Sequence, residues 1–257
     1  MAGSALDPVK RGIQEFQEYL RLIGRIGRGL VTPPIYVRDT IEQLDAIGVG
    51  SLTVTILTGL FTGMVLALQS GLTLDQFGIR QKVGSLVSAS MVKELGPVLT
   101  ALIVAGCVGS GIAAELGSMM VTDQIAALRA LGTDPIRKLV VPRVLAGTLM
   151  LPVLTTLAVA VGILGGAIIS AFQLGVASSV YWNSVVSGLY MKDLWMGLIK
   201  PVVLGFVITT VGCHVGLRTK GGTQGVGRAT TTSVVIGSVA VLGMDFLLTK
   251  ALITLMY

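Results

Sequence analysis

The chain has 257 residues, 53% of them hydrophobic and 12% charged, with a mean hydropathy of +0.84. A soluble domain carries about twice that share of charge, so the expected solvent is a bilayer rather than water. The formal charge of +6 does not point to nucleic acid, because the basic residues gather between apolar stretches, where membrane topology accounts for them.

The N-terminal region has no short apolar core followed by a small-residue cleavage site, so it does not read as a signal peptide. Segment 8–30 carries Lys10, Arg11, Arg21, Arg25 and Arg28, while Ile13, Phe16, Leu20, Ile23 and Leu30 recur at helical spacing. That pattern suits a helix lying in the headgroup region on the cytoplasmic side. The alternative is a soluble amphipathic helix packed on a partner.

No Asp, Glu, Lys or Arg occurs between Asp45 and Asp75. A span needs about 20 apolar residues, so 47–68 is the first predicted transmembrane helix. It contains Gly59-x3-Gly63, a weak helix-packing signal. Residues 69–83 are polar enough for an external loop. The second span covers about 84–114, with Gly96-Pro97 expected to kink it. Segment 115–143 is mixed in character and reads as a cytoplasmic loop with a short helix over 118–131, ended by Gly132 and Pro135. The interval 144–191 again lacks the four charged types, and 144–172 supplies the third span. Residues 173–193 are expected outside, with Tyr181, Trp182, Tyr190 and Trp195 as interfacial anchors. The fourth span is 194–217, interrupted by Lys200-Pro201. Residues 218–232 form a polar loop, and 233–257 the fifth span.

The expected fold is therefore an all-α integral membrane protein: an interfacial N-terminal segment (1–46), then a permease-like domain of five transmembrane helices (47–257). Placing the N-terminus inside puts thirteen Lys and Arg in the inner segments and three in the outer loops. That bias orients the chain with its N-terminus cytoplasmic and its C-terminus on the opposite side.

The sequence carries few marks of catalysis. It has no GxxxxGK[ST], HExxH or GxSxG, and its glycine-rich run 221–227 follows no predicted strand. It reads as a flexible loop rather than a phosphate cradle. The single histidine, His214, argues against zinc, and Cys107 and Cys213 read as small packing residues. An enzyme is not expected, and neither is a cofactor or a metal. What stands out are ionisable residues at membrane depth: Lys93, Glu94, Lys200, Asp245 and Lys250. Each costs about 2.5–3.5 kcal/mol on insertion scales, so such groups face partners, water or substrate. Lys93, Glu94 and Lys200 either line a polar cavity or sit at the outer interface. Lys250 can snorkel, and Asp245 reads as a structural partner for a helix-end cation. The short helix 118–131 is either an ordered loop element or the kind of docking helix that an ABC permease presents to its ATPase.

The stretches KELGPVLTALIVAG (93–106), AAELGSMMVTDQIAALRALGTDPIRKLVVPR (113–143), GVGRATTTSVVIGSVAVLGMDFLLT (225–249) and GLFTGMVLALQ (59–69) resemble the MlaE permease family. The resemblance runs from about residue 12 nearly to the end. It implies the permease subunit of an ABC transporter that moves phospholipid or a related lipid between the inner membrane and the cell envelope. Its implied partners are a second copy of itself, cytoplasmic ABC ATPase subunits that bind ATP and Mg, a periplasmic MCE-domain protein, and often a small STAS-domain protein. Carried over by motif, Glu115, Thr122, Asp123, Gln124 and Asp134 belong to the ATPase-coupling signature. Leu66, Lys93, Glu94, Leu95 and Lys200 fall where the family lines its lipid cavity. This chain departs from the pattern in having Lys93 and Cys107 where the family commonly has arginine, and Asp123 where it commonly has glutamate. The loss of a cation at Cys107 puts any role there in doubt.

The mechanism that follows has two copies meeting around a cavity lined by apolar chains and a few basic groups, with Lys93 or Lys200 favouring an anionic phosphate. ATP-driven closure of the partner subunits moves helix 118–131 and changes access. Two rival readings are a proton-coupled secondary transporter using Asp245 or Glu94, and a non-transporting membrane scaffold.

Overall fold

A computed structural model describes residues 6–32 and 36–256, almost all of them helical, with no strand among them. In chain order the helices are α1 (Leu6–Val31), α2 (Val37–Gln76), α3 (Arg80–Val121), α4 (Gln124–Ala130), α5 (Ile136–Phe172), α6 (Ser178–Gly188), α7 (Met191–Leu217) and α8 (Gly222–Met256). Five of these, α2, α3, α5, α7 and α8, are long and apolar enough to cross a membrane. The sequence-based count of five spans after an N-terminal helix holds. The chain is a multi-pass membrane protein.

The helices run longer than the uncharged stretches. Helix α2 continues through Gln69 and Asp75 to Gln76, over what the composition marks as an external loop. At 1.5 Å per residue its 40 residues extend about 60 Å, twice the hydrocarbon thickness. Polar residues at its end therefore lie beyond the hydrocarbon without ending the helix. Only Phe77, Gly78 and Ile79 separate α2 from α3, with Gly78 at φ +71° making the turn. The predicted loop 218–232 is also mostly helix, since α8 begins at Gly222, where two positive-φ glycines, Gly221 and Gly222, turn the chain.

Helices α5 and α7 occupy the middle. Helix α2 packs along α5, and α8 lies against α7 and α3. The α2–α5 contact depends on small residues. A Cβ at Gly63 would come within 1.9 Å of the Gly162 carbonyl oxygen, and one at Gly59 within 2.5 Å of that of Ala158. The Gly59-x3-Gly63 signal thus marks a close helix crossing, where backbones meet because no side chain intervenes.

Helix α1 shows two apolar faces. Leu22 and Ile26 are buried against Leu139, Val140 and Cys213, while Ile13, Phe16 and Leu20 are exposed. The periodicity identified the exposed face; the packed one lies about a third of a turn away. Tyr19 adds a polar anchor, its hydroxyl 2.8 Å from Thr210 Oγ1 on α7, with its ring edge-on to His214. Burial raises the Tyr19 pKa above its ordinary value.

Helix α6 lies over the start of α3. Ser184 Oγ accepts from the Ser85 amide at 2.9 Å, and a Cβ at Gly84 would meet the Tyr181 carbonyl at 2.5 Å. Tyr181, expected as an interfacial anchor, is instead 1% exposed and donates its hydroxyl to the Ile163 carbonyl at 2.9 Å. Its phenol fills the space above Gly166, where a Cβ would sit 2.6 Å from the hydroxyl. Trp182, Tyr190 and Trp195 remain exposed.

Candidate functional site

Two regions gather the residues singled out by their charge. The first lies in the half of the bundle away from α4. There α3 has a π-helical turn over Met91–Leu95, followed by Gly96-Pro97. Proline has no N–H for the carbonyl four residues earlier, so the Lys93 carbonyl loses its usual α-helical donor. Lys200 on α7 supplies one: its Nζ donates to that oxygen at 2.8 Å. The same ammonium lies 2.8 Å from Glu94 Oε2 and 3.2 Å from Asp245 Oδ1 on α8. One carbonyl and two carboxylates thus surround the ammonium, with Asp245 Oδ1 at ion-pair distance but without a hydrogen bond among the described residues. Lys200 is wholly buried. Pro201 follows it directly inside α7, and Gly197, one turn earlier, allows close approach to α3: a Cβ there would meet the Val92 carbonyl at 2.8 Å.

Around this ammonium the network widens. Thr249 Oγ1 sits 3.3 Å from Glu94 Oε1 while bonding to the Asp245 carbonyl. Lys93 Nζ pairs with Asp193 Oδ1 at 2.9 Å, and Asp193 Oδ2 accepts from the Tyr190 amide at the start of α7. Formally the cluster holds two cations, Lys93 and Lys200, and three carboxylates, Glu94, Asp193 and Asp245. Lys93 and Glu94 keep part of their side chains exposed, whereas Lys200 and Asp193 are sealed in.

The structure thus brings Lys93, Glu94 and Lys200 together, but Lys200 faces the protein and not an open cavity. Asp245 does partner a cation, one in mid-helix rather than at a helix end. Lys250 is exposed and apart from the cluster. Leu66 and Leu95 are half-buried, packed against a core of Ala67, Val83, Val87 and Met91, and only Leu95 adjoins the cluster, directly after Glu94. Asp193 and Thr249 escaped sequence reasoning. Asp193 has a local signal, an acid three residues into a helix that can bond back to the preceding amide; Thr249 has none.

The second region is the α4 end. The expected helix over 118–131 is two pieces. Residues 118–121 finish α3, the chain turns at Thr122 and Asp123, and α4 starts at Gln124. The break is at Asp123, the non-glycine residue with φ +58° among those described, a conformation that aspartate tolerates better than most. Ile125, 2% exposed, anchors α4 in a core with Leu22 and Ile26 of α1, Leu116 of α3 and Val144 of α5. Thr122, Asp123 and Gln124 are left on the surface.

Behind α4, buried Arg143 on α5 reaches Glu115 of α3 at 2.6 Å and donates to the Leu139 carbonyl at 2.6 Å. Lys138 bonds to Asp39 of α2 at 2.5 Å and lies over the Tyr36 ring. Asp134 accepts from the Ile136 amide at 3.0 Å, capping the start of α5. The pair Glu115–Arg143 therefore ties the end of α3 to the start of α5, the two spans that α4 connects. Cys107 lies in a second π-helical turn of α3 (Ala105–Gly109) and opens on a cavity of about 280 Å³ that Ser51 and Glu115 also line.

A five-span helical membrane domain, with a charge cluster buried in one half and a short surface helix at the opposite end, has the organisation of a transporter's membrane subunit. Comparison with known proteins gives the family. The profile described as Permease MlaE matches residues 40–251, and the chain belongs to that family. Haemophilus influenzae has a relative, the intermembrane phospholipid transport system permease protein MlaE, 39% identical over 90% of this chain and 92% of its own length. Probable ABC transporter permease proteins of Rickettsia typhi and Synechocystis are each 41% identical, over 87% and 88% of this chain and 86% of their own lengths.

Proposed function

We propose that this chain is the permease subunit of an ABC transporter that moves phospholipid between the inner membrane and the cell envelope. The observation that carries the reading is the match to a family whose Haemophilus member is named for intermembrane phospholipid transport, over nearly the full length of both chains. The geometry supports it. A charge cluster that Leu95 follows directly on α3, together with half-buried Leu66 on the neighbouring core, offers charge for a head group and apolar wall for acyl chains.

In this reading the α4 end is cytoplasmic, with α1 on the same side, and the end of α8 faces the periplasm. The Lys and Arg bias supports that orientation. ATP and Mg are bound by partner ATPase subunits, since the sequence has no P-loop, and this chain itself holds no cofactor. Thr122, Asp123 and Gln124 form the surface that meets the ATPase, and Glu115 and Asp134 hold the frame behind it. A second copy, a periplasmic MCE-domain protein and often a STAS-domain protein complete the assembly.

Mechanically, α4 is rooted by Ile125 in a core shared by α1, α3 and α5. A push on α4 therefore shifts the inner ends of α3 and α5 together, joined as they are by Glu115 and Arg143. Helix α3 carries that displacement to Lys93 and Glu94 at its other end. Its two π-helical turns, at 91–95 and 105–109, are the places where the backbone can change register at least cost. Moving Glu94 away from Lys200 frees a donor for the phosphate of a lipid, with Lys93 already part-exposed beside it. The test is to purify the chain with its native partners and identify bound proteins and lipids by mass spectrometry. An ABC ATPase together with phospholipid supports the proposal; a purified chain with neither sinks it.

A further inference from the structure

A second collection of charge lies at the α4 end, where α7 finishes and α8 begins, and the function proposed above makes no use of it. A cavity of about 380 Å³ opens there, with Arg218, Lys220 and Arg228 in its lining beside His214 and the hydroxyl residues Thr219 and Thr232. This is within the size range of sites that hold small ligands. The one acid in its wall, Glu15 of α1, is 3.7 Å from Arg218, which also meets Glu18 at 3.5 Å. Lys220 and Arg228 have no ion-pair partner among the described residues, and both side chains are exposed.

The cavity is built and not a chance of loose loops. Gly221 and Gly222, at φ +92° and +68°, fold the connection back so that the Lys220 carbonyl lies over the first turn of α8. A Cβ at Gly225 would come within 2.0 Å of that carbonyl oxygen, so the fold needs glycine at this point. Thr219 is buried and wedged against α3, where a Cβ at Gly117 would meet its Oγ1 at 2.8 Å. The amides of the first turn of α8 add partial positive charge to that of the side chains.

The rest of the wall is apolar. Val215 and Ala229 form the base, and Ile236 leads onto the exposed face of α8 with Val239, 68% exposed, one turn further on. Cations at the rim and an apolar track running along a spanning helix match an amphiphile whose anionic group stays at the membrane surface. We propose that this cavity binds the phosphate-bearing head group of a membrane phospholipid through Lys220 and Arg228, with the acyl chains lying along α8 past Ile236 and Val239. The site is separate from the Lys200 cluster, which lies in the other half of the bundle. It depends on the membrane setting and not on the direction or energy source of transport.

The full-length chain in detergent can be titrated with phosphatidylglycerol, with diacylglycerol of the same acyl chains, and with inorganic phosphate, and followed by native mass spectrometry. Phosphatidylglycerol should bind at least tenfold more weakly to K220Q/R228Q than to the natural chain, and R228K should keep most of the affinity. Diacylglycerol should show no dependence on the variant. Because neither replaced side chain has an ion-pair partner among the described residues, the double variant should unfold at the natural temperature, which separates lost binding from lost fold. Equal phosphatidylglycerol affinity in the natural chain and K220Q/R228Q overturns the site. Inorganic phosphate displacing the variant-sensitive lipid at equal concentration overturns the assignment to lipid. Failure of ATP-dependent transport would bear on the proposed function and leave this result untouched.

Discussion

Part-exposed Glu94 and wholly buried Lys200 meet as an ion pair at 2.8 Å. The pair is reinforced by Asp245 and by the Lys93 carbonyl that Pro97 leaves without its helical donor. An ammonium at membrane depth is tolerated only with such company. The consequence is asymmetric. Removing one carboxylate leaves Lys200 another, while removing both strands the charge. Glu94→Gln/Asp245→Asn should therefore destabilise the purified protein by about 3–5 kcal/mol, well beyond the sum of the single variants. Adding Lys200→Met to that pair should restore much of the loss. Thermal unfolding of the five forms in detergent checks this, and additive effects would mean that the cluster does not act as a unit.

The α2–α5 crossing makes a steric prediction. Gly63→Ala places a methyl group where the Gly162 carbonyl now sits, so the two backbones must separate. Overpacking of this kind costs about 1–3 kcal/mol. Gly50→Ala, on the same helix but with nothing within 4 Å of the added Cβ, should be neutral or slightly stabilising. A common thermal shift for both variants would contradict the assigned contact.

At the other end, Asp123→Lys reverses a charge on the exposed turn before α4 without touching the core. It should abolish retention of the ATPase during purification while membrane insertion is unchanged. Ile125→Ala, which empties a buried site, should also weaken retention, but through loosening of α4 at a cost of about 2–5 kcal/mol in stability. The two are told apart by melting temperature, which Ile125→Ala should lower markedly and Asp123→Lys only slightly, lysine being less at ease than aspartate at φ +58°. Full ATPase retention and transport in Asp123→Lys would remove this surface from the docking site.

Much of the membrane plan is readable from charge-free stretches such as 46–74 and 144–191, because a bilayer penalises charge along a whole span. Helix ends are not readable in the same way. Gln69, Asp75 and the run from Gly222 to Gly227 look like loop on composition, yet the backbone stays helical there. Hydrogen bonding along the helix satisfies those amides whatever the side chains are. The family motifs located Lys93, Glu94 and Lys200. What they could not give is that Lys200 turns inward, since that depends on Asp245, 45 positions on, and on a carbonyl released by Pro97. Asp193 is not legible as part of the cluster, because its partner, Lys93, is 100 residues away in the chain. The burial of Tyr181 is not legible either, because an aromatic near a span end looks the same whether it anchors in head groups or fills the space above Gly166.

Topology makes a separate prediction. Helix α1 has exposed Ile13, Phe16 and Leu20 on one side and is fixed to α7 by Tyr19 on another, an arrangement suited to lying in the interface. In a background lacking Cys107, Gln17→Cys and Glu42→Cys should both react with a membrane-impermeant maleimide from the cytoplasmic side. Labelling from opposite sides would make α1 a crossing helix and reverse every later segment.

The central claim, that this permease moves phospholipid under the drive of a partner ATPase, is tested most directly by transfer in proteoliposomes. The chain, reconstituted with its co-purified ATPase and envelope-side partner, is supplied with fluorescent phospholipid and ATP. The account predicts transfer that requires ATP hydrolysis, falls at least tenfold in Glu94→Gln/Lys200→Met, and continues when an ionophore collapses the proton gradient. Transfer that stops with the proton gradient while ATP is intact, or no ATP-dependent movement of phospholipid at all, would contradict it.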